Sequence, residues 1–247
     1  MASWCCSSSG RERVVVRFLT TGQAGGVHRL WRVLAIAAVG LWLTAAVAWW
    51  ALERVHDPVQ PAVATGFMRD MGVHHNQAVN LALLGAVKGS PDIQATSLKI
   101  IRGQSLEMGM MHAWTMAETQ TAQASGAPMM GWMADRYARL GQHIPEYDKF
   151  ILACQAHPDQ MPGMATLDEL SRLQQATGVA FQHLWLELMI RHHAAAIVMT
   201  RFAADHAETS RFRSFAASML RDQVQESAQL LTLARRDGLD MQNHQGR

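Results

Sequence analysis

One helical hairpin is written into this chain twice, and that repeat limits its fold more than any other feature. "MGVHHNQAVNL" at 71–81 and "MIRHHAAAIVM" at 189–199 each set a histidine pair behind a methionine, M-x-x-H-H, in an otherwise apolar helical pattern. Aligning Met71 with Met189 also brings His74 onto His192, His75 onto His193 and Ala78 onto Ala196. With one extra residue in the second turn, Arg102 falls on Arg221, Gln104 on Gln223 and Glu107 on Glu226. The unit is a helix with M-x-x-H-H, a turn, and a helix with R-x-Q-x-x-E. One such hairpin cannot bury its apolar stripe alone; two can bury theirs against each other as a four-helix bundle.

The local punctuation fits two hairpins, over 66–122 and 179–237, joined by a segment 123–178. Apolar spacing of three and four runs over 66–87, and "GSPD" at 89–92 breaks it. Ser90 suits an N-cap and Pro91 a first helical position. A second helix runs to about 122, where "SGAP" follows. The segment 129–156 reads as one or two shorter helices interrupted at Pro145, and 157–166 as a loop. "TLDE" from Thr166 is a capping box, with Glu169 reaching back. Helices follow at 167–176, 179–206 and 210–236, with Gly238 as the C-terminal stop. The expectation is an all-α bundle domain over 66–237 and a tail over 238–247.

Ahead of it, "WRVLAIAAVGLWLTAAVAWWAL" at 31–52 carries one charge, Arg32, at its start. The run is long enough to cross a bilayer as a helix. Trp31 stands at one end and Trp49 and Trp50 at the other, as interfacial aromatics do. Arg11, Arg13, Arg17, Arg29 and Arg32 precede or open it, so the positive-inside bias puts residues 1–30, read as a disordered tail, in the cytoplasm. Residues 53–65 become a linker and the bundle lies outside the membrane. "AVA" at 46–48 can pass for a signal-peptide cleavage site, but the following tryptophans and the length of the run favour an uncleaved anchor. Every Met except Met1 and every His except His28 follows this segment or its start.

At about 100° per residue, Trp185, Leu186, His192, His193, Ala196 and Met199 lie on the Met189 face of their helix. Glu187 and Arg191 fall opposite, as an exposed i,i+4 pair. In the first copy Met71, His74, His75 and Ala78 share a face, and Asp70, one turn before His74, is placed to orient that imidazole. The partner helices turn carboxylates inward. Glu107 shares its face with Ile100, Gly103, Gln104, Met110, Met111 and Trp114; Glu226 shares its face with Met219, Gln223, Leu230 and Leu233. A buried carboxylate is costly unless it is paired or binds metal, and the inward histidines are the available partners.

The donor set points to copper. "MGMMH" at 108–112 packs Met108, Met110, Met111 and His112 into little more than one turn, and "MMGWM" at 129–133 and "MPGM" at 161–164 repeat an M-x-x-M spacing. Thioether with imidazole suits Cu(I), and imidazole suits Cu(II). With three cysteines, no disulfide framework and no Cys-based zinc motif can be drawn; Cys154 reads as a buried free thiol. Ferritin-like di-iron sites need Glu-x-x-His, which occurs only at Glu53/His56, beside the apolar run. His-Glu-x-x-His is absent. Charge is near balance, 22 Lys+Arg against 20 Asp+Glu, with no basic block for nucleic acid.

"FMRDMGVHHNQAV", "MPGMAT" and "LELMIRHHAAAIVM" resemble the domain-of-unknown-function 305 family over residues 64–237. The resemblance implies a ferritin-like helical bundle, export or membrane anchoring, and copper binding of the kind some members show. It carries over to Met71, His74, His75, Met189, His192 and His193, with Glu107 and Glu226 on the partner helices. The second copy has Leu188 where the first has Asp70, so the halves are not expected to be equal. The reading is a membrane-anchored, extracytoplasmic protein that binds or sequesters copper. A redox enzyme on the same His/Glu cluster and a metal-free envelope protein are the rivals. No activated nucleophile and no cofactor loop is visible, which favours binding over catalysis.

Overall fold

The computed structural model describes residues 24–55, 63–118 and 128–239. Most of the two expected tails, and parts of the expected linker and connecting segment, lie outside the described residues. Among the described residues there are eight helices and no strand. The first, α1 (Ala24–Val55), belongs to one compact unit and the other seven helices to a second.

Helix α1 carries no charged residue between Arg32 and Glu53. Its described side chains, Leu41, Trp42 and Ile36 among them, are exposed. Arg29–Trp50 is the one stretch among the described residues that is long and apolar enough to cross a membrane, with a mean hydropathy of 2.0.

The second unit is the duplicated hairpin. Helices α2 (Val63–Lys88) and α3 (Pro91–Glu118) form the first copy, and α7 (Gly178–His206) and α8 (Ser210–Arg236) the second. Between them run α4 (Gly131–Leu140), α5 (Pro145–Ala156) and α6 (Leu167–Gln175). Pro145 is the first residue of α5. Thr166 and Glu169 form the expected capping box of α6. Gly238, at φ 72°, closes α8 in a Schellman turn, with Leu239 N–H donating to Ala234 O and Gly238 N–H to Arg235 O.

Helix α2 starts at Val63, three residues before the expected Gly66. Glu208, in the turn between α7 and α8, accepts from Val63 N–H at 2.7 Å and Ala64 N–H at 3.1 Å. Its carboxylate satisfies two of the orphan donors at the α2 N-terminus and complements the helix dipole.

The core falls into two apolar clusters. One gathers Phe67 and Met71 of α2, Trp132 and Tyr137 of α4, Tyr147 and Phe150 of α5, Met199 and Phe202 of α7, and Phe212 of α8. The other gathers Leu81 of α2, Ile93 and Ile100 of α3, Leu173 of α6, Trp185 and Met189 of α7, and Leu230 of α8. The start of α2 shares a cluster with the end of α7, so these helices run antiparallel. Each fully buried large side chain contributes roughly 1.5–3 kcal/mol. Close approach is bought at Gly85 of α2, where an added Cβ would strike Ser97 Oγ and stand 2.7 Å from the Trp185 indole nitrogen.

Candidate metal centre

A polar layer separates the two apolar clusters. His74 and His75 come from α2, His192 and His193 from α7, Gln104 from α3, and Gln223 and Glu226 from α8; all are buried. Each hairpin supplies the same residue types at the same heights, which follows from the repeat. The inward turn of both histidine pairs and of both glutamates is as the periodicity predicts.

Each repeat ties one histidine to its own glutamate. His75 Nε2 meets Glu107 Oε2 at 2.7 Å, and His193 Nε2 meets Glu226 Oε2 at 2.9 Å. The two pairs differ at the other ring nitrogen. His193 Nδ1 meets Met189 O at 2.9 Å, so both of its ring nitrogens are engaged. His75 Nδ1 has no partner. With Nε2–H donating to Glu107, its Nδ1 lone pair is free, and a carboxylate on the far nitrogen is the partner that metal-binding histidines commonly have.

The remaining histidines meet each other. The His74 and His192 rings lie 3.7 Å apart between centroids, tilted by 37°. None of their four nitrogens has a hydrogen-bond partner in the protein. Burial, reinforced by the neighbouring imidazoles, holds both well below the ordinary histidine pKa. They are neutral rings with unused lone pairs, the form in which imidazole binds metal. A buried polar group needs a hydrogen-bond or metal partner, and the protein supplies none to these nitrogens. Gln104 Oε1 and both amide atoms of Gln223 are also without partners. These glutamines were not singled out as site residues from the sequence, although R-x-Q-x-x-E sets each one turn before its glutamate, on the same face.

Among the described residues no three His, Cys, Asp or Glu side chains come together as a group that could hold a metal ion. The donors fit a soft or borderline ion by type: three imidazoles, His74, His75 and His192, each with one lone pair that the protein leaves unpartnered.

The methionines divide. Met71 and Met189 are fully buried but belong to opposite apolar clusters, one on each side of the polar layer. The "MGMMH" turn splits around α3: Met111 is in the core, Met108 packs at its edge, and Met110 and His112 are exposed. Met110 stands instead in a groove between α3 and α8. Asp70 does not orient His74. It accepts from Arg69 Nε at 2.6 Å, Met130 N–H at 2.7 Å and Trp132 Nε1–H at 3.0 Å, and so fastens α4 to α2. Arg191 turns away from the core, but both it and Glu187 are half-buried rather than exposed, and its guanidinium grips Glu169 of α6 at 2.8 and 2.7 Å. Cys154 is free and half-buried rather than buried, with burial pushing its thiol up to about 11.

The sequence profile of DUF305, described as a domain of unknown function, matches residues 64–234. The chain belongs to the DUF305 family. Solved DUF305 structures share the fold of this DUF305 chain. A protein from Streptomyces coelicolor described as secreted is 24% identical at a TM-score of 0.59, covering 73% of this chain and 96% of that one. A DUF305 fragment from Deinococcus radiodurans is 22% identical at a TM-score of 0.50, covering 71% and 99%. CopM in its Cu(II)-bound form is 20% identical at 0.48, covering 70% and 96%, a likeness too distant to bear on this chain's ligand. No curated protein matches the sequence.

Proposed function

We propose that this DUF305 chain is a membrane-anchored, extracytoplasmic copper-binding protein that sequesters or hands on the ion. The observation that carries the reading is the pair of stacked, neutral, unpartnered imidazoles of His74 and His192 in the middle of an apolar bundle. A polar pair left unsatisfied there is costly, and a metal ion is the partner that neutral imidazole nitrogens take. His75, with Nδ1 free and Nε2 held by Glu107, is the third donor. His193 and Glu226, hydrogen-bonded to each other, line the centre. Met71 and Met189 flank it, and thioethers favour Cu(I). Arg29–Trp50 acts as the anchor, with the arginines before it on the cytoplasmic side.

The test is titration of the purified full chain in detergent with Cu(I) and Cu(II) under chelator competition. Wild type binds; His74→Ala with His192→Ala loses binding. Unchanged affinity in that double variant overturns the assignment.

A second reading has its own support. His75–Glu107 and His193–Glu226 are complete hydrogen-bonded pairs without any ion, and such pairs can fix the register of a bundle. Protein from copper-supplemented cells that is folded and free of metal by elemental analysis would favour it.

A further inference from the structure

The four imidazoles are at most 1% exposed, so an ion has to pass between helices to reach them. The seams of the bundle are unequal. Within each hairpin the helices pack closely, and α2 packs on α7, while α3 and α8 touch only sparingly. A groove of about 510 Å³ runs along that loose seam. Its lining includes Gly103, Glu107 and Met110 of α3 and Ser218, Met219 and Glu226 of α8.

Both glutamates that hold histidines therefore face solvent through one opening. Glu107 and Glu226 keep 12% and 7% of their side-chain surface exposed, while the histidines behind them keep none. Gly103 sits over the second carboxylate: a Cβ there would stand 3.7 Å from Glu226 Oε1. That oxygen is the one not engaged by His193. A second described pocket, of about 220 Å³ between the 157–166 loop and α7, is lined by neither of the glutamates that hold the histidines. The exposed thioether of Met110 offers a soft donor in the groove, and Met219 lines it from the core.

We propose that the α3/α8 groove is the port through which copper reaches and leaves the buried centre, with Glu107 and Glu226 as its floor. This rests on the copper reading above and adds a route to it. A port governs rates in both directions and leaves the end states alone, so blocking it slows loading and release together.

The experiment uses the full chain in detergent, with Ag(I) as a redox-inert stand-in for Cu(I), and Cu(II) in parallel. Loading is followed by stopped-flow tryptophan fluorescence and release by transfer to a chelator. Ser218→Trp, at an exposed position on the groove wall, and Gly103→Leu, on its floor, should each slow both rates by about tenfold with little change in Kd. Leu98→Trp, exposed on α3 and outside the groove lining, should load like wild type. Should Gly103→Leu fail to fold, Ser218→Trp alone decides. Loading of folded Ser218→Trp at the wild-type rate overturns the port while leaving the copper reading intact. Weaker binding with an unchanged loading rate also overturns it. Failure of the wild-type chain to take up either ion removes the copper reading and the port with it.

Discussion

His74 of the first repeat and His192 of the second lie ring over ring, 3.7 Å apart, with no hydrogen-bond partner on either. Nothing in one hairpin could create that contact. It exists because the antiparallel packing of α2 on α7 puts equivalent residues of the two copies face to face.

The stacked pair makes the stability of the metal-free protein acid-sensitive. Both rings have folded pKa values well below the ordinary value, through burial first and neighbouring imidazoles second. Unfolded histidine titrates near pH ~6.5. Below that pH the unfolded chain takes up protons that the native rings refuse, so stability falls with pH. The contribution is complete above about pH 6.5 and is lost as pH drops toward the folded values, at up to about 1.4 kcal/mol per pH unit for each ring. Urea unfolding between pH 5 and 8 measures it. Replacing both rings by Leu should flatten that slope; an unchanged slope would place the acid sensitivity elsewhere.

Neutralising the carboxylates should weaken metal binding without abolishing it. Glu107→Gln removes the anion that orients His75, and Glu226→Gln removes the one joined to His193. Loss of such an outer partner typically costs about 10–100-fold in metal affinity. Glu107→Gln should do more harm, because His75 is the histidine of the two with a free nitrogen to offer. Competition titration against a chelator ranks the two.

Asp70→Ala should destabilise the fold and spare the metal. It strips the acceptor from the Trp132 indole and the Met130 amide, both buried, at a cost of about 3 kcal/mol. A drop in the urea midpoint with a red-shifted tryptophan emission, at wild-type copper affinity, is the expected outcome. A drop in affinity at intact stability would return Asp70 to the role of orienting His74.

Gly85→Ala should also cost stability, although alanine is the better helix former. The added methyl runs into Ser97 and the Trp185 ring, and overpacking of this kind costs about 1–3 kcal/mol. Thermal denaturation reads the loss.

The repeat carried most of the architecture and the inward faces, because a period of 3.6 residues and a second copy of the same pattern constrain both. What escaped lies in contacts between segments distant in sequence. Val63 opens α2 because Glu208 caps it from 145 positions away, and no local signal at 63–65 announces that. Asp70 looked like a partner for His74 because both lie on one helix turn; its true partners are in the connecting segment, whose path the spacing does not give. The helical period puts Met110 on the inward face with Glu107, yet the loose α3/α8 seam leaves it at the groove. The difference between His75 and His193 depends on which way each ring nitrogen points, and a sequence cannot show that.

Asp70 and Leu188 occupy the same register in the two copies, and they do unlike jobs. Leu188 fills core; Asp70 latches a helix that the second hairpin has no counterpart for. Two identical hairpins meeting as separate chains would have to carry the same residue at both places. Joining them in one chain lets the halves diverge: the first can fasten the connecting helix beside a histidine with a free nitrogen, while the second, whose His193 is hydrogen-bonded at both ring nitrogens, keeps the frame against which that histidine is held.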